Sequence, residues 1–365
     1  MTAPARAPFF TRVGPPFIVV FLVMYTAKVA APILIPLVVA FFVWYLINAL
    51  VRFIGMVRLG QRLPRFWRFV AAIAAICGVM TLFYALVSDN IGALMEAAPR
   101  YQESFTRIIT SVAKLLKLEN MPQTGELLAD LSSNYVNIAK FIQGAAIFLT
   151  GMARNTLFVV VYVGFLLYEQ RYFETKLRGM VTNKDTLRKV REVMAAVDIK
   201  IQRYIGVKAF VSLVDSTLTF AILTAFGVDF AAFWGAMAFF LHFIPYAGSF
   251  VAIFMPFLIA LIQFPDVGHA LMVLGVLCTS HAMLGHVLDP YLMGNNLNLS
   301  PIVIISNLVM WGMIWGIPGM FLGIPILAIV SIVLSQFDST RAIAVLLSKT
   351  GLRPPSKRRL RLRKS

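Results

Sequence analysis

The chain has 365 residues, of which 59% are apolar and only 13% charged, and its mean hydropathy is +0.82. Soluble domains usually hold about 45–50% apolar and ~25% charged residues, so an ordinary soluble enzyme is excluded and an all-α polytopic membrane protein is predicted. The net charge of +17 would suggest nucleic acid in a soluble protein, but its placement along the chain argues for membrane orientation instead.

Arg6 and Arg12 precede an apolar stretch in the manner of a signal peptide, yet Lys28 interrupts the run and no A-x-A site follows. The expectation is an uncleaved first span. Pro15 to Leu50 is too long for one crossing, and Lys28 and Pro32 divide it into two spans. Val51 to Arg68 then carries five arginines and no acid, which places it in the cytoplasm. A third span, from about Phe66 to Val87, completes an N-terminal segment of residues 1–88.

Residues 89–153 carry the acids Asp89, Glu96, Glu103, Glu119, Glu126 and Asp130 and are expected outside. Apolar residues from Ile91 to Lys117 fall three, four and one apart, on one helix face. A second stripe runs from Leu127 to Leu149 beyond Met121-Pro122. This extracytoplasmic amphipathic layer either binds substrate or merely packs on itself or on the membrane interface. The segment 154–205 holds a fourth span, from Thr156 to about Tyr168, and a cytoplasmic helix. Ten basic residues against five acidic ones between Tyr168 and Lys208 keep that helix inside. Lys208 is expected to snorkel to the headgroups.

Two segments of like design follow, 206–264 and 265–337. In the first, a span from Val207 to Phe226 leads into Phe230 to Phe264, 35 residues without a charge. One straight helix of that length would reach roughly 50 Å at 1.5 Å per residue, too long for a hydrocarbon core of ~30 Å and too short for two spans. A re-entrant hairpin fits, turning at Pro245 and Gly248. In the second, a span from Val267 to Leu288 leads through the polar link DPYLMGNNLNLS into Pro301 to Phe337, 37 uncharged residues turning at Gly316, Pro318 and Gly319. About six full spans plus two hairpins in an inverted repeat result, an architecture of secondary transporters whose broken helices meet near the midplane. The alternative is eight spans, with both runs long and kinked. The tail, 338–365, is basic and cytoplasmic in either case.

The stretches FIPYAGSFVA (Phe243 to Ala252) and DPYLMGNNLNLSPIVIISNLVMWGMIWGIPGMFLGIPILAIV (Asp289 to Val330) resemble the autoinducer-2 exporter (AI-2E) family of permeases. The matching features are Ile244-Pro245 with Gly248, Asp289-Pro290, Gly294, Pro301, Gly316, Gly319-Met320 and Pro325, with Glu169 closing the fourth span. The position before Pro290 is Asp, where the family more usually has Glu. The resemblance implies an inner-membrane homo-oligomer, a pentamer, that exports autoinducer-2 in some members and exchanges sodium or lithium for protons in others.

Asp215 lies about ten residues into the fifth span, where an unpaired carboxylate costs several kcal/mol. It is therefore expected to be protonated, paired or in a wet cavity, as a coupling-ion site or as a helix–helix hydrogen bond. His281 and Asp289 join it as coupling candidates through a relay from Asp215 to His281. The hairpin tips at Pro245, Gly248, Gly316, Pro318 and Gly319 are expected to line the transport path, since exposed backbone at depth is tolerated only where it faces a cavity. Pro290, Gly294, Asn295 and Asn296 form a gate or a solvated loop. Cys77 and Cys278 stand alone in apolar runs, as core residues rather than a disulfide or metal pair. No phosphate-binding loop, zinc-protease or nucleophile-elbow motif occurs, so no catalytic residue, cofactor or metal is expected. The partners are membrane lipids, further copies of the chain, and a small solute or Na+/H+, with no nucleic acid. The location is a bacterial inner membrane with both termini cytoplasmic. The competing functions are organic efflux, cation/proton exchange and a non-transport scaffold.

Overall fold

A computed structural model describes residues 21–115, 138–181, 183–264, 266–293, 298–335, 337 and 340–351. Every regular element among them is helical, apart from one isolated bridge between Leu299 and Ser348. The described residues of Met1–Trp44, Phe158–Ile201 and Leu297–Ser365 form one compact unit, and those of Tyr45–Leu157 and Gln202–Asn296 form a second.

Helix α1 is Ala31–Met56. Residues 21–29 before it are also helical, with a turn at Ala30 whose carbonyl accepts from Ile33 and Leu34 at 3.0 and 2.9 Å. The break expected between Lys28 and Pro32 is thus a single turn, because Pro32 falls in the first turn of α1, where a missing N–H costs no ladder bond. The start of the expected first span, at Pro15, lies outside the described residues. After the one-turn α2 (Arg58–Gln61), helix α3 runs from Arg65 to Leu115. The third span and the first outer helix are therefore one element. A lone glycine costs about 1 kcal/mol and a proline about 3 kcal/mol in a helix, so Gly92 and Pro99 do not end a ladder of 51 residues. The stripe from Leu127 to Tyr135 lies outside the described residues.

Helix α4 (Ile138–Glu169) ends in the apolar stretch Thr156–Glu169, and α5 is Phe173–Met180. Helix α6 (Lys184–Ala225) starts where the Asn183 side chain accepts from the amides of Asp185 and Thr186, a side-chain N-cap. It joins the expected cytoplasmic helix and the fifth span in 42 unbroken residues, with only Gly206 between them.

Helices α7 (Ala231–Leu241) and α8 (Ala247–Gln263) pack on each other. The Gln263 side chain ties the two ends of this run together, accepting from Asp229 N and donating to Gly227 O at 2.8 Å each. In the turn, Tyr246 takes φ +61°, and a Cβ on Gly248 would lie 1.7 Å from the Leu241 carbonyl. Only glycine lets the two helix ends approach so closely. The core of this unit gathers Leu223, Phe233, Ile259, Val273 and Leu277, none more than 2% exposed, and the Phe83 and Phe240 rings pack at 4.4 Å.

Helix α9 (Val267–Met283) is capped by Asp266 and passes through one π-turn, Leu284–Leu288, into α10 (Asp289–Met293). Asp289 and Pro290 therefore sit in helix and not in the polar link that begins at Asp289 on sequence grounds. The wider turn absorbs the hydrogen bond that Pro290 cannot donate. In the first unit, α11 (Pro301–Trp315) and α12 (Ile317–Leu334) pack along their glycines around Gly316 at φ +65°, and a Cβ on Gly319 would lie 2.1 Å from the Trp311 carbonyl. The short helix α13 (Arg341–Leu347) follows.

Among the described residues, five helices are long and apolar enough to cross a bilayer: Ala31–Met56, Arg65–Leu86, Lys184–Ala225, Val267–Met293 and Ile317–Leu334. Cys77 and Cys278 are free and exposed on their helices. This corrects their reading as core residues; an apolar run in a span need not face protein.

Candidate functional site: a buried charge cluster

On α6 the residues Lys208, Ser212, Asp215 and Thr219 follow at spacings of four, three and four, so they share one helix face. All four are buried, with Asp215 at 1% exposure and Ser212 and Thr219 at 0%. Tyr204, one turn earlier, continues the stripe and is also buried. An apolar helix in lipid gains nothing from such a polar stripe unless other groups meet it.

They do. The Asp215 carboxylate has His281 Nε2 of α9 at 3.4 Å on one oxygen and His242 Nδ1, from the C-terminal end of α7, at 3.2 Å on the other. The opposite nitrogen of His242, Nε2, stands 3.6 Å from Asp289 Oδ2. That same oxygen accepts from Lys208 Nζ at 2.9 Å. Two carboxylates, two imidazoles and one ammonium thus form a continuous chain in the order His281, Asp215, His242, Asp289, Lys208.

The proton positions are constrained by chemistry. His281 Nδ1 lies 3.1 Å from the Leu277 carbonyl, which can only accept, so that nitrogen carries a hydrogen. In a neutral ring Nε2 would then present a lone pair to Asp215. The contact is attractive only when a proton is shared there, as imidazolium with carboxylate or imidazole with carboxylic acid. His242 is placed alike: between two ionised carboxylates a neutral ring can donate to Asp215 or to Asp289 but not to both, so serving both takes one added proton, on the ring or on a carboxyl. With both carboxylates ionised, Lys208 charged and both rings neutral, the cluster carries one net negative charge. One added proton makes it neutral, and burial favours neutrality.

The geometry is loose where it matters. Neither Asp215 oxygen has an aligned hydrogen-bond donor among the described residues, and the same is true of the Ser212 and Thr219 hydroxyls. Buried polar groups are normally paired, so these atoms are available to a proton, a water or a cation.

Of the residues singled out in the sequence, Asp215, His281 and Asp289 are brought into one cluster. Lys208 is 7% exposed and paired inside it, which corrects the snorkelling expectation: its reach is taken up by Asp289. His242 escaped the sequence reading, although it immediately precedes the turn that carries Pro245 and Gly248. Pro245 lies in the α7–α8 turn and Gly248 in the first turn of α8, while Gly316 lies between α11 and α12 and Pro318 and Gly319 in the first turn of α12. Pro290 lies in α10, while Gly294, Asn295 and Asn296 lie outside the described residues. Among the described residues no three His, Cys, Asp or Glu side chains converge as a metal-ligand set.

A chain whose described residues include several bilayer-length apolar helices with ionisable groups buried on them is a polytopic membrane protein. Residues 17–338 match the AI-2E family transporter description, and the chain belongs to that family, a family of transporters and not of enzymes. It is 29% identical over 324 residues to the AI-2 transport protein TqsA of Escherichia coli (strain K12), covering 88% of this chain and 91% of that one. A Borreliella burgdorferi protein is 28% identical over 260 residues, covering 71% and 70%. Escherichia coli YhhT is 24% identical over 320 residues, covering 87% and 88%.

Proposed function

We propose that the protein is a proton-coupled secondary transporter of the bacterial inner membrane that exports a small polar solute such as autoinducer-2. The observation that carries this reading is the buried chain from His281 to Lys208, which becomes neutral on taking up one proton. A scaffold has no use for such a group, and two carboxylates in a bilayer-length helix bundle are costly to keep without one. The solute comes from the similarity to TqsA, whose name states AI-2 transport.

The α7–α8 run, with its two ends tied by Gln263, supports a re-entrant hairpin in the membrane, and the glycine-packed α11–α12 pair supports a second. The basic segments support cytoplasmic termini. Assembly as a homo-oligomer, a pentamer on the family resemblance, completes the reading.

Exchange of sodium or lithium for protons is the second reading, favoured by one observation. A cavity of about 450 Å³ in the first unit is lined by Met24, Ile305, Ser306, Val309, Met310 and Met313, a mostly apolar wall that offers a polar organic solute few hydrogen bonds. Proteoliposomes separate the two readings. Release of loaded autoinducer-2 that accelerates under an imposed pH gradient supports export. A pH response to sodium or lithium with no release supports exchange, and neither response leaves only the scaffold.

A further inference from the structure

The loop between α1 and α3 carries a site unrelated to the charge cluster. Arg52 from the end of α1 and Arg65 and Arg68 from the first turn of α3 line, with Asn48 and Val51, a cavity of about 260 Å³. No acidic residue occurs from Val51 to Arg68, and neither Arg65 nor Arg68 has a carboxylate partner among the described residues. The cavity is built and not a chance gathering of long side chains. Arg68 folds back over the loop, donating through Nε to the Leu63 carbonyl at 3.0 Å and through Nη2 to the Gln61 carbonyl at 3.1 Å. Its remaining Nη1 lies where a Cβ on Gly55 would come within 2.7 Å, so glycine at that position lets the guanidinium lie against α1.

Two further observations point to an anion. The first turn of the 51-residue α3 contains no acid, and the helix dipole favours negative charge there. The site also sits where two apolar helices of spanning length end, and the same helix ends carry the exposed side chains of Phe53, Phe66 and Trp67. Aromatic residues of this kind mark headgroup depth. Every cation is arginine, whose planar fork matches a phosphate oxygen pair better than a lysine does.

The geometry points to a binding site for the phosphate group of an anionic phospholipid, held by Arg52 and Arg65 over the N-terminus of α3, with Arg68 shaping the wall. The test is native mass spectrometry of the purified full-length protein, exchanged into detergent with phosphatidylglycerol, with phosphatidylcholine, or with excess inorganic phosphate. The expected result is retention of phosphatidylglycerol and not of phosphatidylcholine, undisturbed by inorganic phosphate.

The charge-preserving double variant Arg52→Lys with Arg65→Lys, eluting as the unmodified protein does, should hold the lipid about tenfold more weakly through loss of bidentate contact. Arg58→Lys with Arg62→Lys, in the same loop but off the cavity, should hold it normally. Equal binding by both double variants and the unmodified protein would overturn the site in favour of a diffuse basic field. Displacement of the lipid by inorganic phosphate would overturn the lipid as its occupant.

Discussion

Lys208 and Asp289 lie 2.9 Å apart at 9% and 16% side-chain exposure, deep enough that each depends on the other for its charge. Removing one partner of a buried pair is far more damaging than removing both, because the survivor is left unpaired. Asp289→Asn should therefore lower stability by about 3 kcal/mol, read as a drop in the unfolding midpoint in mild detergent. Lys208→Met combined with Asp289→Asn should recover more than half of that loss, and a double variant no better than the single would separate the two residues energetically. Asp215, His281 and Asp289 were legible in the sequence because ionisable residues in long apolar runs stand out. His242 was not, since its partners come from α6 and α10, and nothing local announces that the turn after α7 delivers the ring between two carboxylates. Lys208 misled for the same reason: a lysine near a span end has a bulk solution, the headgroups, that hides a tertiary one.

At the scale of elements, α7 and α8 depend on contact of backbone with backbone at Gly248, where a Cβ would meet the Leu241 carbonyl at 1.7 Å. Gly248→Ala should abolish transport in a chain that still inserts, as should Gly319→Ala at the α11–α12 turn. Gly78→Ala and Gly275→Ala, where nothing lies within 4 Å of the added atom, should transport normally. Flux assays on the four variants check this, and normal flux in Gly248→Ala would remove that turn from the transport path. The re-entrant reading has its own check. Cysteines at positions 230 and 264, in a background lacking Cys77 and Cys278, should be labelled from the same side of the membrane, and labelling from opposite sides would mean a kinked span. Apolar length and Pro/Gly punctuation made both breaks legible in advance. They gave no warning that α3 and α6 run unbroken for 51 and 42 residues, because a change from apolar to amphipathic pattern alters what a helix faces and not whether it continues.

For the whole molecule, the excess charge of +17 gathers in a few basic segments of the sequence, and the positive-inside rule makes a cytoplasmic location for them the proposal to test. A reporter fused at the C-terminus should be active only as a cytoplasmic protein, and activity of a periplasmic reporter there would invert the assignment. The larger claim is that one proton on the chain from His281 to Lys208 drives solute or cation movement across the membrane. Its most direct measurement follows internal pH with a dye in proteoliposomes holding either the unmodified protein or Asp215→Asn, challenged in turn with autoinducer-2, sodium and lithium gradients. The amide keeps the shape of the carboxyl but cannot take up a proton, so a substrate-dependent pH change is expected in the unmodified protein and none in a folded Asp215→Asn. An undiminished pH change in that variant would contradict it.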